Sequence, residues 1–156
     1  MPIDRFSVTF TVAAPPADVF AHLADPQSYV GLSPLVVLVR DVRPVRDDRD
    51  RPAVAYVAVE RFRWGPLRWD NPIRVTMTAL EGRVISSVVS PGAVRLDSTV
   101  DLAADGTGTR VTETIEVRSP GPLRRFVTGK ARSVQSARRS ELTRRMGPIR
   151  HPRQTG

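Results

Sequence analysis

The chain contains no cysteine. Disulfides, thiolate nucleophiles, iron–sulfur clusters and thiolate zinc sites are thereby excluded, and cysteine usage says nothing about the redox compartment. Histidine is nearly as scarce, with His22 and His151 alone. A histidine-built metal site or a Ser-His-Asp triad is not expected from two imidazoles, one of which lies in a Pro/Arg-rich tail. Long apolar runs are also missing: the longest uncharged stretch, Pro26 to Val39, is broken by Pro34 and falls short of the ~18 residues of a spanning helix. Asp4 and Arg5, followed by the alternating Phe6-Ser7-Val8-Thr9-Phe10, do not form the apolar block of a secretion signal, so a cytoplasmic location is the expectation. No metal and no cofactor is expected. Gly106-Thr107-Gly108 has Val111 where a dinucleotide fingerprint needs its third glycine, and Gly129-Lys130 has Arg124 at the first P-loop glycine position.

What remains is one domain's worth of ordinary globular sequence. The 156 residues, 40% apolar and 26% charged, suffice for a single core. Residues 1–146 are expected to form that domain and 147–156 a flexible basic tail. The net charge of +8 is unevenly distributed. Residues 1–117 carry 13 Arg against 15 acidic residues, whereas residues 118–156 carry 10 Arg and Lys130 against Glu141 alone. With 23 Arg to one Lys, two explanations stand: a compositional bias of the genome, or an anionic partner surface.

Periodicity divides the chain clearly. Phe6, Val8, Phe10 and Val12 alternate with polar residues as a strand, which Pro15-Pro16 stops. A short helix follows, with Val19, Phe20 and Leu23 on one face, and then a second brief helical turn over 27–32. From Leu35 the period is two. Strands are expected over 35–45, 53–64, 67–80, 83–90, 93–103 and 109–118, joined by short turns into an antiparallel meander covered on one face. Pro120-Gly121-Pro122 introduces a long helix over 123–146. Its apolar stripe of Leu123, Phe126, Val127, Ala131, Val134 and Ala137 gives way to Arg138, Glu141 and Arg145, while Arg125, Arg132 and Arg139 repeat on the other side.

This order of elements is similar to the helix-grip superfamily, also called SRPBCC or START-like, which includes polyketide cyclase/dehydrase-like and lipid-transfer proteins. The resemblance rests on Phe10-Thr11-Val12-Ala13-Ala14-Pro15-Pro16-Ala17-Asp18-Val19-Phe20 with Leu23-Ala24-Asp25-Pro26, on Gly65-Pro66-Leu67-Arg68, on Gly108-Thr109-Arg110-Val111-Thr112-Glu113, and on Ser119-Pro120-Gly121-Pro122-Leu123. It implies an α+β fold: a seven-stranded antiparallel sheet curved around the long C-terminal helix, with two short helices after the first strand. It also implies a pocket between sheet and helix for an apolar or amphipathic ligand. Function is not fixed by that fold.

The residues themselves suggest where such a pocket lies. If Gly65-Pro66 is a two-residue turn, Phe62 faces Trp69, Glu60 faces Asn71 and Tyr56 faces Val75. The alternation of Leu67, Trp69, Ile73, Val75 and Met77 then turns Tyr56, Glu60, Phe62, Trp69 and Asn71 inward. Ser98 joins them from the strand over 93–103, and Phe126, Val127, Lys130 and Val134 from the helix. A longer loop would send Glu60 to solvent. A carboxylate among aromatics needs a partner, a raised pKa, water or a ligand.

Glu113 is a second inward carboxylate. Glu60 and Glu113 are candidate acid/base groups, but the expectation is that each pairs with an arginine such as Arg138 or Arg145. Lys130 reaches Glu113 or a ligand acid group, or extends its amine to solvent. Trp64 and Trp69 are expected to cap the end of the core, the alternative being an exposed tip serving as a membrane or portal device. His22 is expected to be a surface or packing residue, and Tyr29 to shape the pocket mouth, as the resemblance implies.

Two functions follow from this reading. The protein binds or carries a small hydrophobic molecule that is lipid-, quinone- or polyketide-like, or it is a cyclase/dehydrase-like enzyme acting in the same pocket. Arg125, Arg132 and Arg139 offer a weak contact with an anionic membrane surface. A nucleic-acid partner lacks support, because no aromatic residue interleaves the arginines after Phe126.

Overall fold

The computed structural model of the protein describes residues 2–147. Apart from Gly147, the expected basic tail, with His151, lies outside the described residues. The chain begins with strand β1 (Ile3–Val12). Pro16 opens helix α1 (Pro16–Leu23), where the missing proline N–H has no helical acceptor to lose. The Asp25 side chain accepts a hydrogen bond from the Gln27 N–H at 3.0 Å, starting a 3-10 turn over Pro26–Ser28. That turn runs into the kinked single turn α2 (Tyr29–Leu32), inside which Gly31 has a φ of 79°.

Six strands follow: β2 (Val36–Arg46), β3 (Pro52–Trp64), β4 (Leu67–Leu80), β5 (Arg83–Ser90), β6 (Val94–Asp105) and β7 (Gly108–Arg118). A 3-10 turn over Gly121–Leu123 leads into α3 (Arg124–Arg145). These bounds match the alternation and the helical stripe to within two residues.

The sheet order is β1-β7-β6-β5-β4-β3-β2, antiparallel throughout. Sequential neighbours pair everywhere except at β1, which closes against the last strand. The β2–β3 ladder is interrupted twice, between Val36 and Leu38 and between Arg40 and Arg43. Gly65, with a φ of 57°, forms a two-residue turn with Pro66, so Trp64 pairs with Leu67, Phe62 with Trp69, Glu60 with Asn71 and Tyr56 with Val75, the expected register.

Helix α3 is fastened at both ends. Near its start Arg124 donates to Asp4 on β1 at 2.8 and 2.9 Å, Thr128 donates to the same carboxylate at 2.8 Å, and the Arg132 guanidinium lies 4.7 Å from the centre of the Phe6 ring. Near its end Leu142 is buried, and Arg145 donates to the Ser28 carbonyl at 2.7 Å and the Val30 carbonyl at 3.1 Å. The Met146 carbonyl accepts from the Ala14 N–H at 2.9 Å. The second half of the helix therefore meets polar partners where its apolar stripe fades.

These fastenings hold α3 against β1, β7 and α2. Phe6, Ile115 and Val117 pack under Val127 and Ala131, while the larger core lies between the sheet, α1 and the end of α3. The space over the middle strands is left open. Among the described residues no helix is long and apolar enough to cross a membrane.

Candidate functional site: a two-chambered cavity between sheet and helix

The outer chamber has a volume of about 310 Å³ and opens between the β3–β4 tip, the β5–β6 turn and the start of α3. Ile73, Val88, Leu96, Ile115 and Val134 supply its apolar wall, and Glu60, Asn71, Ser90 and Lys130 bring polar groups to one side. The inner chamber, about 80 Å³, lies deeper, with Tyr29, Tyr56, Ser98, Glu113 and Gln135 among its lining residues. Both chambers share Ser33, Val36, Ile73, Val88, Leu96 and Arg138, so these residues form the waist between the two volumes.

The expected lining residues separate between these places. Glu60, Phe62, Asn71, Phe126, Val127, Lys130 and Val134 line the outer chamber, and Tyr56 and Ser98 the inner one. Trp69 is a wall of neither; it stacks on Phe62 with ring centroids 5.6 Å apart. The expectation that the tryptophans cap the core is incorrect. Trp64 is 77% exposed and Trp69 48%, because α3 begins too far back to cover the hairpin tip.

Glu60 faces the cavity and accepts a hydrogen bond from Asn71 Nδ2 at 3.4 Å. Asn71 Nδ2 also reaches Ser90 Oγ at 3.3 Å. Burial pushes the Glu60 carboxyl pKa up, and the Asn71 hydrogen bond and the positive charge of Lys130 only partly oppose it. Among the described residues Glu60 thus lacks the arginine partner expected for it. Lys130, exposed at the mouth, lies 5.7 Å from the centre of the Phe62 ring and on the Glu60 side of the cavity.

Glu113 does have its arginine. Arg138 Nη2 donates to its Oε1 at 2.5 Å, and Arg138 Nη1 reaches Ser33 Oγ at 3.4 Å. The other expected arginine, Arg145, is committed to Glu141 at 2.9 Å. Gln135 Nε2 donates to the Glu113 carbonyl at 3.3 Å. Among the described residues Arg138 Nε is buried with no hydrogen-bond partner, and it belongs to the side chain that lies between the chambers. Gln135 and Arg138 are not among the expected lining residues. Their spacing from the apolar stripe is visible in the sequence, but a charged residue there reads as the end of the buried face.

The Tyr29 hydroxyl donates to the Leu23 carbonyl at 2.8 Å, well inside the mouth it was expected to shape. Burial pushes the phenol pKa values of Tyr29 and Tyr56 up, so both remain neutral donors at any physiological pH. His22 is a packing residue as expected, with Nδ1 3.4 Å from Ser28 Oγ and Nε2 3.2 Å from Arg145. Arg125, Arg132 and Arg139 are exposed as predicted. Arg132 nonetheless covers Phe6, and Arg139 borders the inner chamber.

An apolar cavity gripped between a curved antiparallel sheet and a C-terminal helix is the arrangement the resemblance implies. Residues 4–145 match the family described as polyketide cyclase/dehydrase and lipid transport. The chain belongs to that family. Comparison with curated proteins yields no match. Among solved structures, a START superfamily protein from Mycobacterium smegmatis is similar with a TM-score of 0.70 at 15% identity, over 91% of this chain and 96% of that one. The Zhui aromatase/cyclase from Streptomyces sp. R1128 has a TM-score of 0.58 at 17% identity, over 92% of this chain and 96% of its own. The di-domain ARO/CYC BexL from the BE-7585A biosynthetic pathway has a TM-score of 0.70 at 14% identity; the match covers 96% of this chain and 51% of that one. At these identities the likeness is one of α+β helix-grip fold. Family and fold together support ligand binding or a polyketide-related role.

Proposed function

We propose that the protein binds and carries a small hydrophobic or amphipathic molecule, lipid-, quinone- or polyketide-like, in the cavity between the sheet and α3. The observation that carries this reading is the outer chamber, whose about 310 Å³ falls at the lower end of the roughly 300–1,000 Å³ of small-molecule sites. Its walls are apolar, with a few polar groups at fixed depths. A chain or ring system would lie along Ile73, Val88, Leu96 and Val134, and its oxygen atoms would meet Glu60, Asn71 and Lys130 near the mouth or Arg138 at the waist.

The cyclase/dehydrase reading rests on one feature, the raised proton affinity of Glu60. A carboxyl group whose proton affinity is raised by burial in a cavity is better suited to donate a proton to a ligand carbonyl than an exposed one. It would act without help from Glu113, whose charge is engaged by Arg138.

Native mass spectrometry of freshly purified protein tests the main proposal. A co-purifying lipid-like mass that is diminished in Val134→Phe, which narrows the outer chamber, supports carriage. Ligand retention unchanged in that variant would overturn it. A ligand recovered with the mass of water removed after incubation, in wild type but not in Glu60→Gln, would move the assignment to the enzyme.

A further inference from the structure

The mouth of the outer chamber is surrounded by apolar side chains that the fold leaves uncovered. Trp64 and Leu67 pair across the last rung of the β3–β4 ladder, on the same face as Phe62 and Trp69 and therefore on the cavity side. Across the opening stand Leu123 and Phe126, both lining the same chamber. Leu67 is 61% exposed and Phe126 67%. Trp64 is exposed more than either.

Cations accompany this apolar rim. Arg63 and Arg68 pair with each other across the hairpin tip, one rung from Trp64 and with their side chains on the opposite face, and Arg125 and Lys130 follow on α3. Among the described residues, none of these four has a carboxylate within 4.0 Å. Of the nearby acids, Asp70 is paired with Arg61 at 2.9 Å and Asp4 with Arg124 at 2.8 Å, while Glu60 is buried inside the chamber on the Lys130 side.

We propose that this rim, made by the β3–β4 tip and the first turns of α3, docks on an anionic lipid bilayer. Tryptophan and leucine insert at the level of the headgroups and upper acyl chains, and arginine and lysine meet the phosphates there. A second copy of the chain fits less well, because it would bring the same unpaired cations face to face. The expected membrane contact thus moves from the Arg125, Arg132 and Arg139 stripe to the cavity mouth, with only Arg125 common to both. The docking holds whether the cavity's occupant is carried or converted, and it places the opening against the phase from which an apolar molecule would come.

The test needs no label, since Trp64 and Trp69 are the only tryptophans in the chain. Their emission is recorded with vesicles of phosphatidylglycerol and phosphatidylcholine, and with phosphatidylcholine alone. A blue shift with protection from aqueous iodide is expected on the anionic vesicles, fading as salt is raised. Arg63→Gln with Arg68→Gln is expected to weaken partitioning about thirty-fold, each charge near the surface being worth about five-fold. Leu67→Ser should weaken it with the charge intact. Failure of the shift on anionic vesicles would overturn the proposal, as would equal partitioning of the double arginine variant. So would two other results: an emission already blue in free protein that reddens on dilution, which marks self-association, or an equal shift with an oligothymidylate, which marks a nucleic-acid surface.

Discussion

Arg138 on α3 donates to Glu113 on β7 across the floor of the cavity at 2.5 Å, tying the helix to the sheet at the waist between the two chambers. Both side chains are largely buried, with relative exposures of 17% and 10%. Removing one partner leaves an uncompensated charge, at a cost of about 3–5 kcal/mol. Arg138→Met is therefore expected to lower the urea midpoint sharply. The double variant Glu113→Leu with Arg138→Met should recover much of the loss, since an apolar pair of similar volume avoids the stranded charge. Equal midpoints for wild type and Arg138→Met would show that the pair holds nothing together.

Glu60 predicts a pH dependence of the opposite kind to an ordinary surface carboxylate. Its folded-state pKa is raised by burial, so the folded protein holds that proton more tightly than the unfolded chain. The stability associated with the neutral form is complete below the unfolded value near 4.5 and declines as pH rises through the folded value. Glu60→Gln keeps the Asn71 hydrogen bond and removes the ionisation. Its stability relative to wild type should rise between pH 4 and pH 7 in urea unfolding. A difference constant with pH would mean the carboxyl titrates as it does in the unfolded chain.

Gly108 opens β7 where the strand meets the end of β1. A Cβ there would come within 2.3 Å of the Val12 carbonyl oxygen, a backbone atom that cannot swing away. Gly108→Ala should cost at least the upper end of the about 1–3 kcal/mol typical of overpacking, because the one long-range ladder of the sheet must separate to admit a methyl group. Thermal unfolding checks this. Gly65→Ala supplies the contrast: a Cβ added there would meet no atom within 4 Å, so its cost is confined to the positive φ.

The β3–β4 hairpin shows what was legible in the sequence. Gly65-Pro66 defines a two-residue turn, and the alternation of Ile73, Val75 and Met77 identifies the inner face. Those two signals suffice to set Glu60 against Asn71 and Phe62 against Trp69. They act between neighbours in the chain. Whether Trp64 is covered depends instead on where α3 crosses the sheet, and that is set by Asp4 with Arg124 and by Arg145 with the α1–α2 segment, contacts between residues more than a hundred positions apart. The sequence suggests Arg138 as a partner for Glu113, as found, but not as a wall of the cavity, for the same reason. Nothing local distinguishes a cavity arginine paired with β7 from the first charge of a solvated helix face.

The interruptions in β2 have a consequence for how copies of this protein coexist at high concentration. This strand is one open edge of the sheet, and Val37, Leu38 and Val42 are exposed along it. A straight edge of that kind would template the addition of a strand from another molecule, the first step of aggregation. Here the ladder shifts register twice, Asp41 adopts a φ of 57°, and Pro44 has no N–H to donate. Arg43 adds an exposed charge to this edge, while Arg40 and Arg46 are paired with Asp41 and Asp50. An incoming strand would lose its pairing within a few residues of starting, so the same irregularity works against strand addition along this edge.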